Sequence, residues 1–95
     1  MEAWYVYMLE CSDGTIYTGI TNDVNARVEK HNAGKGAKYT SGRRPVLLKA
    51  SWKHKNKSEA AKAEYVMKRL SRKEKEENIE QGRGREKEHR ISNKE

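Results

Sequence analysis

Two short runs of strand-forming residues flank a Cys-Ser-Asp-Gly-Thr turn between Trp4 and Ile20, and this stretch restricts the fold more than any other. Trp4, Tyr5, Val6 and Tyr7 are aromatic or β-branched, the residue types that suit a pleated, half-buried surface. Asp13-Gly14 is a strong turn dipeptide, and the chain returns through Ile16, Thr18 and Ile20 alternating with Thr15, Tyr17 and Gly19. The stretch therefore reads as an antiparallel hairpin. Its register decides what it can do. A two-residue Asp-Gly loop gives paired residues that sum to an odd number and puts Tyr7 and Tyr17 on opposite faces. Cys11 and Ser12 leave room for a longer loop, so an even sum, as in 7 with 17, is expected, with both tyrosines on one face.

The rest of the chain is polar. Only 34% of the 95 residues are hydrophobic and 37% are charged, which allows one small domain with a thin core. The formal charge of +7 is unevenly spread. Residues 1–26 hold four acids and no Lys or Arg, whereas residues 27–57 hold ten basic residues against Glu29 alone. That concentration points to a polyanionic partner such as nucleic acid, with a solvated lysine-rich face as the plainer reading. Cys11 is the single cysteine, so no intrachain disulfide can form, and the three histidines lack zinc-type spacing. There is no secretory leader pattern and no run of about 20 apolar residues. A cytoplasmic protein without a membrane segment is expected.

In chain order, strands are expected at about 3–9, 15–20 and 46–52. Helices are expected at about 23–32, 58–71 and 72–81, giving an α+β domain on a three-stranded antiparallel sheet. Thr21, Asn22 and Asp23 are candidate N-caps for the first helix, and Ser58 for the second. Ala63, Val66, Met67 and Leu70 form an i, i+3, i+4, i+7 stripe for burial, and Ile79 anchors the last helix. The folded domain should span 1–81, with 82–95 a disordered basic tail.

Five polar residues fall near the hairpin or toward the core: Tyr7, Tyr17, Arg27, His31 and Glu64. Singly, each has an ordinary explanation. Glu64 can pair with Lys68 one turn on, Arg27 with Asp23, His31 can serve as a helix C-terminal cation, and hairpin tyrosines mostly pack.

Together they form a pattern. The chain resembles the GIY-YIG nuclease superfamily, in which two tyrosine tripeptides on a hairpin precede a helix bearing an arginine and a later helix bearing a glutamate. Tyr5-Val6-Tyr7 and Tyr17-Thr18-Gly19 stand for the tripeptides, Arg27 follows ten residues after the second tyrosine, and His31 comes one turn later. Glu64 lies in a Glu-Tyr-Val-Met-Lys-Arg-Leu context, and Gly-Ala-Lys-Tyr-Thr-Ser-Gly-Arg-Arg-Pro-Val adds to the match over residues 3–80. The likeness is greatest to small stand-alone bacterial members, an excinuclease-like family of uncharacterised endonucleases.

The resemblance implies metal-dependent hydrolysis of DNA phosphodiesters, in a repair or recombination setting. Glu64 would hold one Mg²⁺ or Mn²⁺, and Arg27 would grip the scissile phosphate. Tyr17 would deprotonate or orient water with help from a cation or His31, and Tyr7 would position water or phosphate. Gly19 would let substrate approach the sheet. Lys35, Lys38, Arg43 and Arg44 would contact phosphates while Tyr39 stacks on a base. Glu76 stands where many members carry Asn, and Ile20 where many carry Lys. Those departures define the alternative, a nucleic-acid-binding module without turnover. A protein partner in a repair complex is a third reading.

Overall fold

The computed structural model describes residues 3–81. Its elements are β1 (Trp4–Glu10), β2 (Ile16–Thr21), α1 (Val24–Asn32), α2 (Lys38–Ser41), β3 (Leu47–His54) and α3 (Lys57–Lys68), with a helix α4 over 72–81. β1 is the central strand of an antiparallel sheet ordered β2-β1-β3. The α+β class and the three strands agree with expectation, and α2 is an addition. The tail expected over 82–95 lies outside the described residues.

The hairpin closes as its extra residues suggest. Cys11 donates to the Thr15 carbonyl, and Gly14 donates to the Cys11 carbonyl at φ +86°. This is a three-residue loop ending in a left-handed glycine, where a side chain would be strained. The Asp13 carboxylate accepts from both the backbone and the hydroxyl of Thr15, which stiffens the turn. Pairing sums to 26: Tyr7 lies opposite Gly19, and Tyr17 opposite Leu9. The parity is the expected one, but the tyrosines are diagonal neighbours instead of partners.

The two sheet faces build two cores. On one, Tyr7 and Leu9 pack with Cys11, Val46, Tyr17 and Val28 of α1. On the other, Met8 and Ala50 pack with Ile79 of α4, with Ile16, Trp52 and Met67 of α3 against them. A bulge in the β1–β3 ladder at Met8/Leu9 shifts register along the central strand. Asn32 joins the end of α1 to the start of β3, its amide bonding both the N–H and the carbonyl of Val46.

Helix ends and stripes correct several expectations. Asp23 caps α1 by accepting from Ala26, but α3 is capped by Asn56 and not Ser58, because the Asn56 carboxamide reaches the Glu59 N–H at 2.8 Å. α3 ends at Lys68, short of the expected 71, and Ser71 caps α4 reciprocally with Glu74. Val66 is 59% exposed, and Ala60 takes the buried position on the α3 stripe. An alanine there lets the helix backbone sit close to the sheet, and that rotation brings Glu64 to the flank of the stripe in place of Val66.

Candidate functional site

Tyr7, Tyr17, Arg27 and His31 converge on the α1 side of the sheet. Tyr7 is 1% exposed, and its hydroxyl lies 2.8 Å from His31 Nε2 and accepts from Arg27. The ring centroids of Tyr7 and Tyr17 are 6.3 Å apart, and those of Tyr17 and His31 are 5.1 Å apart in an edge-to-face arrangement. Arg27 and His31 reach the same spot because i, i+4 residues share a helix face. Arg27 is therefore joined to Tyr7 and does not need Asp23, whose carboxylate caps the helix. His31 is fully buried and is no exposed C-terminal cation.

The electrostatics keep this cluster neutral around its arginine. Burial pushes the Tyr7 phenol up to about 12; Tyr17 and Glu64 add to that, and the hydrogen bond and charge of Arg27 oppose it. Burial lowers His31 below its ordinary value, and the neighbouring Arg27 lowers it further. At neutral pH the site thus holds a protonated phenol, an uncharged imidazole and a guanidinium.

Glu64 stands close enough for its charge to oppose ionisation of Tyr7. Its side chain is 22% exposed and pairs with Lys68 at 3.3 Å. The ordinary explanation for this residue is thus met alongside its place by the cluster. As a ligand it offers a hard carboxylate partly open to solvent, which fits a Mg²⁺-like ion that keeps most of its waters. Among the described residues no group of three or more His, Cys, Asp or Glu side chains could cage a metal.

The position opposite Tyr7 must be glycine. A Cβ at Gly19 would lie 2.7 Å from Tyr7 Oη, 2.9 Å from Tyr7 Cζ and 3.0 Å from Tyr17 Cε2. The space over Gly19 is occupied by the Tyr7 hydroxyl itself.

The family model of the GIY-YIG catalytic domain matches residues 3–78. The chain belongs to the GIY-YIG family. It is 57% identical over 72 residues to a UPF0213 protein of Halalkalibacterium halodurans, spanning 76% of this chain and 77% of that one. It is 55% identical over 75 residues to a UPF0213 protein of Staphylococcus aureus, spanning 79% and 92%. Two solution NMR structures share the fold: a UPF0213 protein of Bacillus halodurans (52% identity, TM-score 0.54, 82% and 83% covered) and a protein of E. faecalis (42%, 0.59, 85% and 86%).

In this GIY-YIG domain the loop residues expected on nucleic acid divide in two. Lys35 and Lys38 are exposed. Arg43 instead bonds Asp13 at 2.9 Å and the Tyr39 carbonyl, and lies 4.1 Å over the Tyr39 ring. Arg44 donates to the carbonyls of Ser41 and Asn32 and lines, with Asn32, Ser41, Gly42 and Pro45, an open pocket of about 530 Å³. Both guanidiniums hold loops together. Tyr39, capped by Arg43, leans toward Tyr17 at 5.9 Å, so its ring extends the cluster and has one face covered.

The sequence reading passed over Gly36 and Thr40. A Cβ at Gly36 would overlap the His31 imidazole, and Thr40 is fully buried with its hydroxyl 2.7 Å from His31 Nδ1. The single signal available was their place in the Gly-Ala-Lys-Tyr-Thr run.

Proposed function

We propose that this GIY-YIG domain is a metal-dependent endonuclease that hydrolyses DNA phosphodiesters. The observation that carries this reading is the Tyr7 hydroxyl held between a guanidinium donor and the His31 nitrogen at 2.8 Å. A phenol so placed can take a proton from an attacking water while passing its own to the imidazole. The hydroxide then bonds to phosphorus, and the bond to the leaving deoxyribose oxygen breaks, that oxygen taking up a proton from solvent. His31 is the transient acceptor, and its burial beside Arg27 favours prompt release of that proton. Arg27 offsets charge on the phosphoryl oxygens. Where the resemblance gave His31 to Tyr17 as an assistant, the hydrogen bond favours Tyr7, and Tyr17, edge-on to His31, would orient the water. A Mg²⁺ or Mn²⁺ ion on Glu64 would neutralise phosphate charge and stabilise the leaving oxygen. A cytoplasmic setting, reducing enough for free Cys11, suits such an enzyme.

The test is a panel of single-stranded, duplex, flap and junction DNA with and without Mg²⁺. Wild type should cleave at least one substrate in a metal-dependent manner, and Glu64→Gln and Tyr7→Phe should abolish cleavage. Glu64→Gln should leave stability within about 0.5 kcal/mol, since a partly exposed i, i+4 pair contributes no more. Cleavage that survives both substitutions would refute the reading. The Lys68 ammonium on Glu64 supports a second reading, a DNA-binding module without turnover. That module would bind DNA in a salt-sensitive way, unchanged by Glu64→Gln, and cleave none of the panel.

A further inference from the structure

The hydrogen bonds around His31 reach a residue that acts on the site without touching substrate. A neutral phenol has one proton to donate, and an arginine side chain has donors only. Arg27 therefore cannot accept the Tyr7 proton, and the acceptor in reach is His31 Nε2 at 2.8 Å. Nε2 must then be the bare nitrogen, so the imidazole proton sits on Nδ1. Nδ1 faces the Thr40 hydroxyl at 2.7 Å, and that hydroxyl sends its own proton to the Ala37 carbonyl at 2.9 Å. Every proton in the chain Tyr7–His31–Thr40–Ala37 has one acceptor. In the opposite tautomer Nε2–H would donate to the Tyr7 hydroxyl, and the phenolic proton would find an acceptor in neither His31 nor Arg27. The Ala37 N–H also donates toward Nδ1, which on its own would favour the opposite tautomer, but at 3.5 Å it is at the limit of a hydrogen bond and much longer than the 2.7 Å Thr40 contact.

We propose that Thr40 is a positioning residue: by accepting from His31 Nδ1–H it holds the tautomer whose Nε2 is free to take the proton of Tyr7. Gly36 is the steric condition for this arrangement. Its missing side chain lets the loop close over the imidazole and bring Thr40 to Nδ1. The inference rests on the nuclease reading for its catalytic consequence, but the tautomer itself does not.

The experiment uses the full chain labelled with ¹⁵N, with long-range ¹H–¹⁵N correlation spectra of the imidazoles recorded above neutral pH. His31→Gln assigns the His31 signals among the three histidines. Wild type should show Nδ1 protonated and Nε2 bare. Thr40→Ser, which keeps the acceptor, should preserve that pattern. Thr40→Val, close in shape but unable to accept, should move the population toward Nε2–H. In cleavage assays Thr40→Val should lower kcat on the order of 10²-fold with KM for DNA little changed, and Thr40→Ser should restore it. A wild-type spectrum with Nε2 protonated overturns the proposal, as does a Thr40→Val spectrum like that of wild type. Should Thr40→Val not fold, the wild-type and Thr40→Ser spectra decide alone. Should wild type cleave no DNA, the nuclease reading fails while the spectra still decide the tautomer.

Discussion

Gly19→Ala tests the heart of the site with one methyl group. Gly19 lies opposite Tyr7 in the hairpin, and the new Cβ would sit 2.7 Å from Tyr7 Oη, 2.9 Å from Cζ and 3.0 Å from Tyr17 Cε2. All three are well inside ordinary van der Waals contact of about 3.5–4.0 Å. Tyr7 cannot retreat easily, because its ring is buried and its hydroxyl is held by His31 and Arg27. Overpacking of this kind costs about 1–3 kcal/mol. Replacing glycine also removes unfolded-state freedom, which returns about 0.4–1 kcal/mol. The net expectation is a loss of roughly 1–2 kcal/mol, or roughly 4–15 °C in Tm for a domain of this size.

Calorimetry or urea unfolding measures that loss. A double-mutant cycle with Tyr7→Phe isolates its source. The cycle removes the nearest atom, so the two substitutions should couple by about 0.5 kcal/mol or more. If Gly19 existed only to admit substrate, alanine would leave stability unchanged or slightly higher and affect cleavage alone. A Gly19→Ala protein at or above the wild-type Tm would therefore refute the placement of Tyr7 over this glycine.

Other consequences follow from the same geometry. Because burial and Arg27 depress His31, the unfolded chain takes up a proton near pH 6.5 that the folded chain resists. Stability should be full above about pH 6.5 and fall as the pH drops below it. Urea midpoints measured between pH 8 and 5 should show this fall, and His31→Gln should flatten it. Tyr7 runs the other way: raised to about 12, it supports folding below pH 10 and loses that support as pH rises through 12. One of the five tyrosines should accordingly ionise late in an ultraviolet titration, and that phase should be missing from Tyr7→Phe. Arg43→Gln should lower Tm by releasing Asp13 and Tyr39 while leaving the salt dependence of DNA binding nearly unchanged. Lys38→Gln should do the reverse, reducing the salt slope by about one without a stability loss.

Much of this is legible in the residues themselves, and for physical reasons. The hairpin announces itself through strand formers around Asp13-Gly14. Ser12, added to Asp13-Gly14, makes the loop three residues long, with Cys11 bonded to Thr15 across it, and so sets the parity that places Tyr7 with Tyr17. Arg27 and His31 were readable because helical spacing is regular. Glu64 was readable as a family position, but its geometry was not, since the stripe over Ala63, Val66 and Met67 left open which flank faces the sheet. Ala60 decided it, and small residues carry little hydrophobic signal. The four-residue α2 was not readable at all. A single turn has no periodicity, and Thr40 looked like any polar residue in a glycine-rich loop.

The basic segment carries the larger lesson about charge. Sequence sums charges without regard to what each one faces, so Arg43 and Arg44 counted toward a phosphate grip on equal terms with Lys35 and Lys38. In the fold, the planar guanidiniums serve carbonyls and a carboxylate, a task their several fixed donors suit and a lysine's single ammonium does not. The exposed lysines keep their charge toward solvent. An ammonium acts on phosphate mainly as a point charge, without the directional fork that reads a base edge. Grip supplied by lysines beside a buried Tyr7–His31 pair should therefore be sensitive to salt and indifferent to base sequence, leaving any selectivity to the shape of DNA that can reach the Tyr7 hydroxyl.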